Sequence, residues 1–158
     1  MWGNSSTPAT TTAVETTKEI LREAGFTILA RETLPANLRE RAQRIRSLDE
    51  QRVELLQLGK DAGADHVVVV ETADLLVPAE TTGNRAAVLH DERVTVKAMG
   101  TDSGNVVFRG SAWWAHPVEH PGQRVRLLTY YAIARAICLP EKWEEPSEAN
   151  HGKGGCRP

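Results

Sequence analysis

The histidines are the first candidates for chemistry in this 158-residue chain. His116 and His120, in His116-Pro117-Val118-Glu119-His120-Pro121, stand four apart with Glu119 beside them. That spacing aligns two imidazoles on one metal only if the stretch is helical. Pro117 and Pro121 argue for a loop, and a third ligand is missing, so an ordinary polar loop is the first reading and a metal site the alternative. His66 sits beside Asp65 at the entrance to an apolar run. It reads as a hydrogen-bonded structural histidine rather than a general base, which needs a second positioned group. Ser111, between Gly110 and Ala112, lacks the strand–turn–helix setting of a hydrolase serine, and no glycine-rich phosphate loop or nucleophile elbow occurs. The expectation is a chain that is not an enzyme, with no cofactor.

Binding chemistry is better represented. Trp113 shares the outer parity of its strand with Arg109 and Ser111, and a tryptophan beside an arginine on a wet face is the make-up of an interface hot spot. The competing reading has the final helix, the proline loop or a bulge cover Trp113, because most large aromatics are highly buried; it is the favoured one. Trp114 has core parity. Arg39, Arg41, Arg44 and Arg46 cluster, but Glu40, Asp49 and Glu50 are interleaved, as in a solvated helical face. Docking of Arg39 and Arg41 on an acidic partner is the second choice. The net charge of −2 gives no electrostatic case for nucleic acid or an anionic membrane. Two cysteines, Cys138 and Cys156, do not make a disulfide framework, and spacing does not say whether they pair.

These residues must be positioned by an α/β chain. Thr11 to Ala24 reads as a helix closed by Gly25, and Phe26, Ile28 and Ala30 alternate with Thr27 and Leu29 as a short strand. Leu34 to Leu48 is a second helix carrying Leu38, Ala42 and Ile45. A third, capped by Ser47 or Asp49, carries Val53, Leu55, Leu56 and Leu58 and stops at Gly63. Val67 to Val70 follow at once; four β-branched residues leave no polar face and suit a central strand covered on both sides. The run is far short of the ~20 apolar residues of a membrane span. Val77 to Asn84 is a Pro/Gly/Thr-rich break. The second half is an antiparallel hairpin: Val94, Val96 and Ala98 inward, Arg93, Thr95 and Lys97 outward, a turn at Thr101 to Asn105, then Val106 to Trp114 with Val106, Phe108, Gly110, Ala112 and Trp114 inward. A final helix carries Val125, Leu128, Ala132, Ile133, Ala136 and Ile137. The fold class is therefore α/β (α+β), one mixed sheet of about four to five strands with helices packed against it, in a single domain over residues 1–140. Residues 141–158 form a flexible polar tail.

Three segments carry a resemblance. Ala24-Gly25-Phe26-Thr27-Ile28-Leu29-Ala30-Arg31, then Leu58-Gly59-Lys60-Asp61-Ala62-Gly63-Ala64-Asp65-His66-Val67-Val68-Val69, then Thr101-Asp102-Ser103-Gly104-Asn105-Val106-Val107 resemble, in this order, the CsgG/LpoB-like family. The similarity covers roughly Thr11 to Leu139. It implies a periplasmic or outer-membrane-associated domain, often lipid-anchored, that works by binding a protein partner such as an envelope enzyme or a secretion component. A pore subunit is not expected, because it needs amphipathic strands of ~9–11 residues each, flanked by extra sequence, and the one candidate insertion, Val77 to Leu89, is short and polar; a lipid anchor would need a lipobox cysteine, which this sequence does not show. The family pattern places Met1-Trp2-Gly3 inside the first strand, with a signal peptide ahead of it; if Met1 is the true start, the expectation becomes cytoplasmic. The resulting reading is a non-catalytic envelope accessory or scaffold module. A metal- or ligand-binding protein or small enzyme using the His116/His120 loop, and a homo-oligomeric subunit of a ring-forming secretion assembly, stand as alternatives.

Overall fold

The computed structural model describes residues 2–3, 7–45, 51–78, 88–117, 124–137 and 149–151, with main chain alone at 2–3, 75–78, 88–90, 115–117 and 149–151. Helix α1 (Pro8–Glu23) begins three residues earlier than the apolar periodicity predicts. Thr7 is extended and its Oγ1 accepts the Thr10 N–H at 3.1 Å, while Pro8 occupies a position whose N–H would be orphaned anyway. Helix α3 (Arg52–Asp61) starts after Gln51, which gives no side-chain cap; the predicted caps Ser47 and Asp49 lie outside the described residues. Between them, α2 spans Ala36–Arg44 and buries Leu38 and Ala42 one turn apart.

The ends of α1 and α3 are built alike. Gly25 (φ 93°) and Gly63 (φ 72°) adopt the left-handed conformation that costs glycine least. The next residues bond back, Phe26 N–H to Leu21 O and Ala64 N–H to Gly59 O, so the last carbonyls of both helices are paired.

One five-stranded sheet receives these helices in the order β1-β2-β3-β4-β5. Its body is three long antiparallel strands, β2 (His66–Pro78), β3 (Val88–Gly100) and β4 (Val106–Pro117). β1 (Trp2–Gly3) adds a short parallel edge at Val69 and Val70, and β5 (Ala149–His151) pairs with β4 opposite Ala112 to Trp114. The class matches the expectation, but the antiparallel body has three strands where four to five were expected, and the strands are not all the expected ones. Phe26 to Ala30 is irregular chain rather than a strand: apolar alternation shows only which side chains share a side, and a strand also needs a neighbour to take its main-chain bonds. β2 runs on through Val77 and Pro78, which the composition assigns to a break, because β3 pairs with it to the end. Ala149–His151 lies in the segment predicted to be a flexible tail, and is held by the otherwise free edge of β4.

The valine run divides between two layers, as a doubly covered strand requires. Val70 joins Ala13, Leu21, Val94, Val96 and the last helix α4 (Val125–Ala136) in the first. Val67 and Val69 join Leu38, Leu55, Leu58 and Met99 in the second, beneath α2 and α3. Within α3 the buried face is Leu55, Leu58 and Gly59, whereas Val53 is 80% exposed. The expected hairpin turn is present, but the register shifts at Ala98/Met99 and sets Val106 opposite Met99. Val106 therefore leaves the core parity assigned to it and is exposed.

Candidate functional site

Cross-strand partners share a sheet face, so the register places the predicted outer residues in rows. On the face of the second layer run Val69–Lys97–Arg109, Glu71–Thr95–Ser111 and Ala73–Arg93–Trp113. Val69 is buried under the second layer. The side chains beyond it are open: Glu71, Thr95, Lys97, Ser111 and Trp113 are half-buried and Ala73, Arg93 and Arg109 exposed. Trp113 is thus on a wet sheet face, with its parity kept.

The chemistry of this half-face is aromatic and basic. The Arg93 guanidinium carbon stands 5.5 Å from the centre of the Trp113 ring, within reach of a cation–π contact, and its Nη2 donates to Asp91 Oδ2 at 3.2 Å. Thr95 and Ser111 join their hydroxyls at 2.9 Å. Lys97 and Arg109 stand directly opposite each other, and like charges so placed repel. Among the described residues neither has an ion-pair partner. The arrangement offers an apolar anchor with a stacked arginine beside an unneutralised cationic pair.

The other sequence candidates fare differently. His116 and Pro117 belong to β4, with His116 opposite His90, so the predicted loop does not begin at His116; the strand continues because β3 still offers partners. Glu119, His120, Cys138 and Cys156 lie outside the described residues. No group of three or more metal-ligating side chains occurs among those described. His66 is exposed and its side chain makes no hydrogen bond with any described residue, so the expectation of a hydrogen-bonded structural histidine is corrected. Trp114 is in the core as expected, with the Arg124 guanidinium 3.9 Å from its ring centre. Arg39 turns back to the Leu34 carbonyl at 3.3 Å. Arg41 is engaged with Asp61 at 2.6 Å and ties α2 to α3. Arg93 and Lys97 complete the site, and their outward alternation was the available signal; only the register sets them beside Trp113 and Arg109.

The Arg41 contact yields a titration prediction. Hydrogen bonds from Arg41, then from Gln57, hold the Asp61 carboxyl below its ordinary value. A lowered carboxylate stabilises the fold above its unfolded pKa, and that contribution disappears as pH falls through the folded value. Carboxyl NMR titration of the Arg41→Gln variant is expected to move Asp61 up towards the ordinary carboxylate range, with a flatter acid limb of stability.

No protein-family model matches the chain, and no curated protein matches it. Among solved structures it is similar to lipoprotein GNA1162 from Neisseria meningitidis, with a TM-score of 0.55 over 88% of this chain and 94% of that one. Identity is 13%. The likeness is one of fold. Among the described residues no helix is long and apolar enough to cross a membrane.

Proposed function

We propose that this chain is a non-catalytic accessory module of the cell envelope that binds a protein partner on the open half of its sheet. The observation that carries the reading is Trp113, half-exposed on a wet face with Arg93 stacked against it. Aromatic and arginine anchors of this kind supply most of the energy of an interface. The unneutralised Lys97–Arg109 pair favours a partner that brings carboxylates to its rim. Support for the envelope comes from the fold shared with a protein described as a lipoprotein and from the resemblance of three ordered segments to the CsgG/LpoB-like family.

The test is site-specific photo-crosslinking in the native host. A benzophenone amino acid at Trp113 or Arg109 is expected to trap one and the same envelope protein, and at exposed Thr12 on α1 it is expected to trap none. With the partner in hand, Trp113→Ala weakens binding by about 2 kcal/mol or more, roughly 30-fold in Kd. Adducts that are absent, or equal at Thr12, sink the reading.

A further inference from the structure

Two cations of the open sheet face are left unanswered by the fold. Lys97 and Arg109 stand opposite each other on β3 and β4, where cross-strand Cβ atoms lie about 4.5–5.5 Å apart. Other cations are matched: Arg93 has Asp91 and the Trp113 ring, Arg41 has Asp61, and Lys60 has Asp102. The side chains of Lys97 and Arg109 make no ion pair and no hydrogen bond with any described residue. Glu71, diagonal to Lys97 in the next row, does not close on it. The free protein thus holds two like charges side by side, an arrangement that works against the sheet.

Arg109 and Trp113 lie four residues apart on one face of β4, a separation of about 13 Å, and Lys97 and Arg93 are spaced alike on β3. A standard interface covers about 800 Å² of each partner, a patch roughly 30 Å across. A partner anchored on Trp113 therefore covers Lys97 and Arg109 as well. Lys97 is half-buried before any partner arrives. Covering both cations with neutral groups strips their water and returns nothing, while their repulsion grows as the local dielectric falls. The patch closes favourably only around added negative charge.

We propose that Lys97 and Arg109 form a receptor for the carboxylates of an acidic segment of the partner protein, a segment that also carries an apolar side chain about 13 Å away to cover Trp113. The proposal rests on the reading of this face as the interface and names the chemistry of what binds there. Phosphates of a nucleic acid or of an anionic bilayer would suit two cations equally well. The neighbouring rows decide against them. Glu71 stands in the row between the cationic pair and Trp113, and Asp91 lies beyond Arg93, so a run of phosphates along the face meets carboxylates as it leaves Lys97 and Arg109. A protein segment can set its acidic side chains opposite this pair alone and place neutral ones over Glu71, Thr95 and Ser111. The net charge of −2 for the whole chain points the same way, because the positive potential is confined to one row of one face. Binding then relieves a repulsion that the free protein carries, which ties affinity to a measurable loss of stability in the unbound state.

The experiment selects a displayed library of random dodecapeptides on the full chain, with Trp113→Ala protein as the counter-selection, and titrates the recovered peptides into isotope-labelled native protein. The expected winners carry Asp or Glu together with an apolar residue, and they shift the side-chain signals of Lys97, Arg109 and Trp113 together. Arg109→Glu turns the opposed pair into an ion pair. Its melting temperature is expected to rise by roughly 1–4 °C while peptide affinity falls about tenfold or more. A gain of stability with a loss of binding separates a receptor charge from a structural one. Lys97→Gln removes the repulsion without adding a charge, weakens binding in the same sense, and covers the case in which glutamate disturbs β4. Amidated peptides, with Asn and Gln for Asp and Glu, should bind the native protein and Arg109→Glu equally poorly. Winners that shift Trp113 yet carry no acidic residue, or that bind both variants as they bind the native protein, overturn the proposal and leave the interface standing. An absence of winners on this face also overturns it, and the photo-crosslink at Trp113 then decides the interface separately. Deca-thymidylate or phosphatidylglycerol vesicles engaging Lys97 and Arg109 when no acidic peptide does would overturn it as well.

Discussion

Gly110→Ala is expected to destabilise the protein by about 3 kcal/mol or more, the upper end of overpacking costs. A Cβ built at Gly110 would lie 2.8 Å from the carbonyl carbon of Ala132 and 2.9 Å from the Ala136 Cβ, with the Ala132 carbonyl oxygen closer still. The obstacle is helix backbone. To relieve it α4 must lift from β4, and α4 carries Leu128, Tyr131, Ala132 and Ile133 of the first layer, all buried. Urea or thermal melting checks the value; at about 2–4 °C per kcal/mol for a chain of this size, the melting temperature falls by roughly 6–12 °C. Gly59 provides the internal comparison. A Cβ there meets methyl groups of Val67 and Thr101, not backbone, and the helix gains about 1 kcal/mol of propensity from the change. Gly59→Ala should therefore cost clearly less than Gly110→Ala. Equal losses would mean that α4 does not rest on β4 at Gly110.

Tyr131→Ala is expected to cost about 3–5 kcal/mol, the range for deleting a buried aromatic ring and leaving a cavity. Tyr131 is fully buried, the largest of the fully buried side chains among the described residues, and its ring packs edge-to-face with that of Tyr130, centroids 6.0 Å apart. It belongs to the layer in which α4 packs against both the sheet and α1, so few neighbours can collapse into the space without breaking other contacts. Val53→Ala is the control. At 80% exposure it should change stability by less than about 0.5 kcal/mol. A large loss at Val53 would show that α3 packs on a face other than Leu55–Leu58.

Much of this architecture was legible because the signals were local. Gly25 and Gly63 ended their helices because a left-handed residue is written in the residue type, and the turn at Thr101–Asn105 was written the same way. Val67 to Val70 declared a strand covered on both faces, and the two layers bear that out. Outward alternation at Arg93, Thr95, Lys97, Arg109, Ser111 and Trp113 was equally plain. What alternation could not supply was pairing. Phe26 to Ala30 has a strand's pattern and lacks its neighbour, and β2 and β4 outrun their composition at Pro78 and Pro117 because β3 pairs with them there.

The candidate site divides along the same line. Sequence alone set the strand parity, outer for Trp113 and Arg109 and inner for Trp114, since side-chain direction follows from a period of two, but it favoured a covered Trp113. Only tertiary structure decided that Arg93 stacks on Trp113, that Lys97 opposes Arg109, that Arg41 is consumed by Asp61 and that a bulge turns Val106 out of the core. Each of these depends on register between segments far apart in the chain. A one-residue slip would send every side chain to the opposite face, and no local preference fixes that choice; the competition of two layers for Val67 to Val70 does.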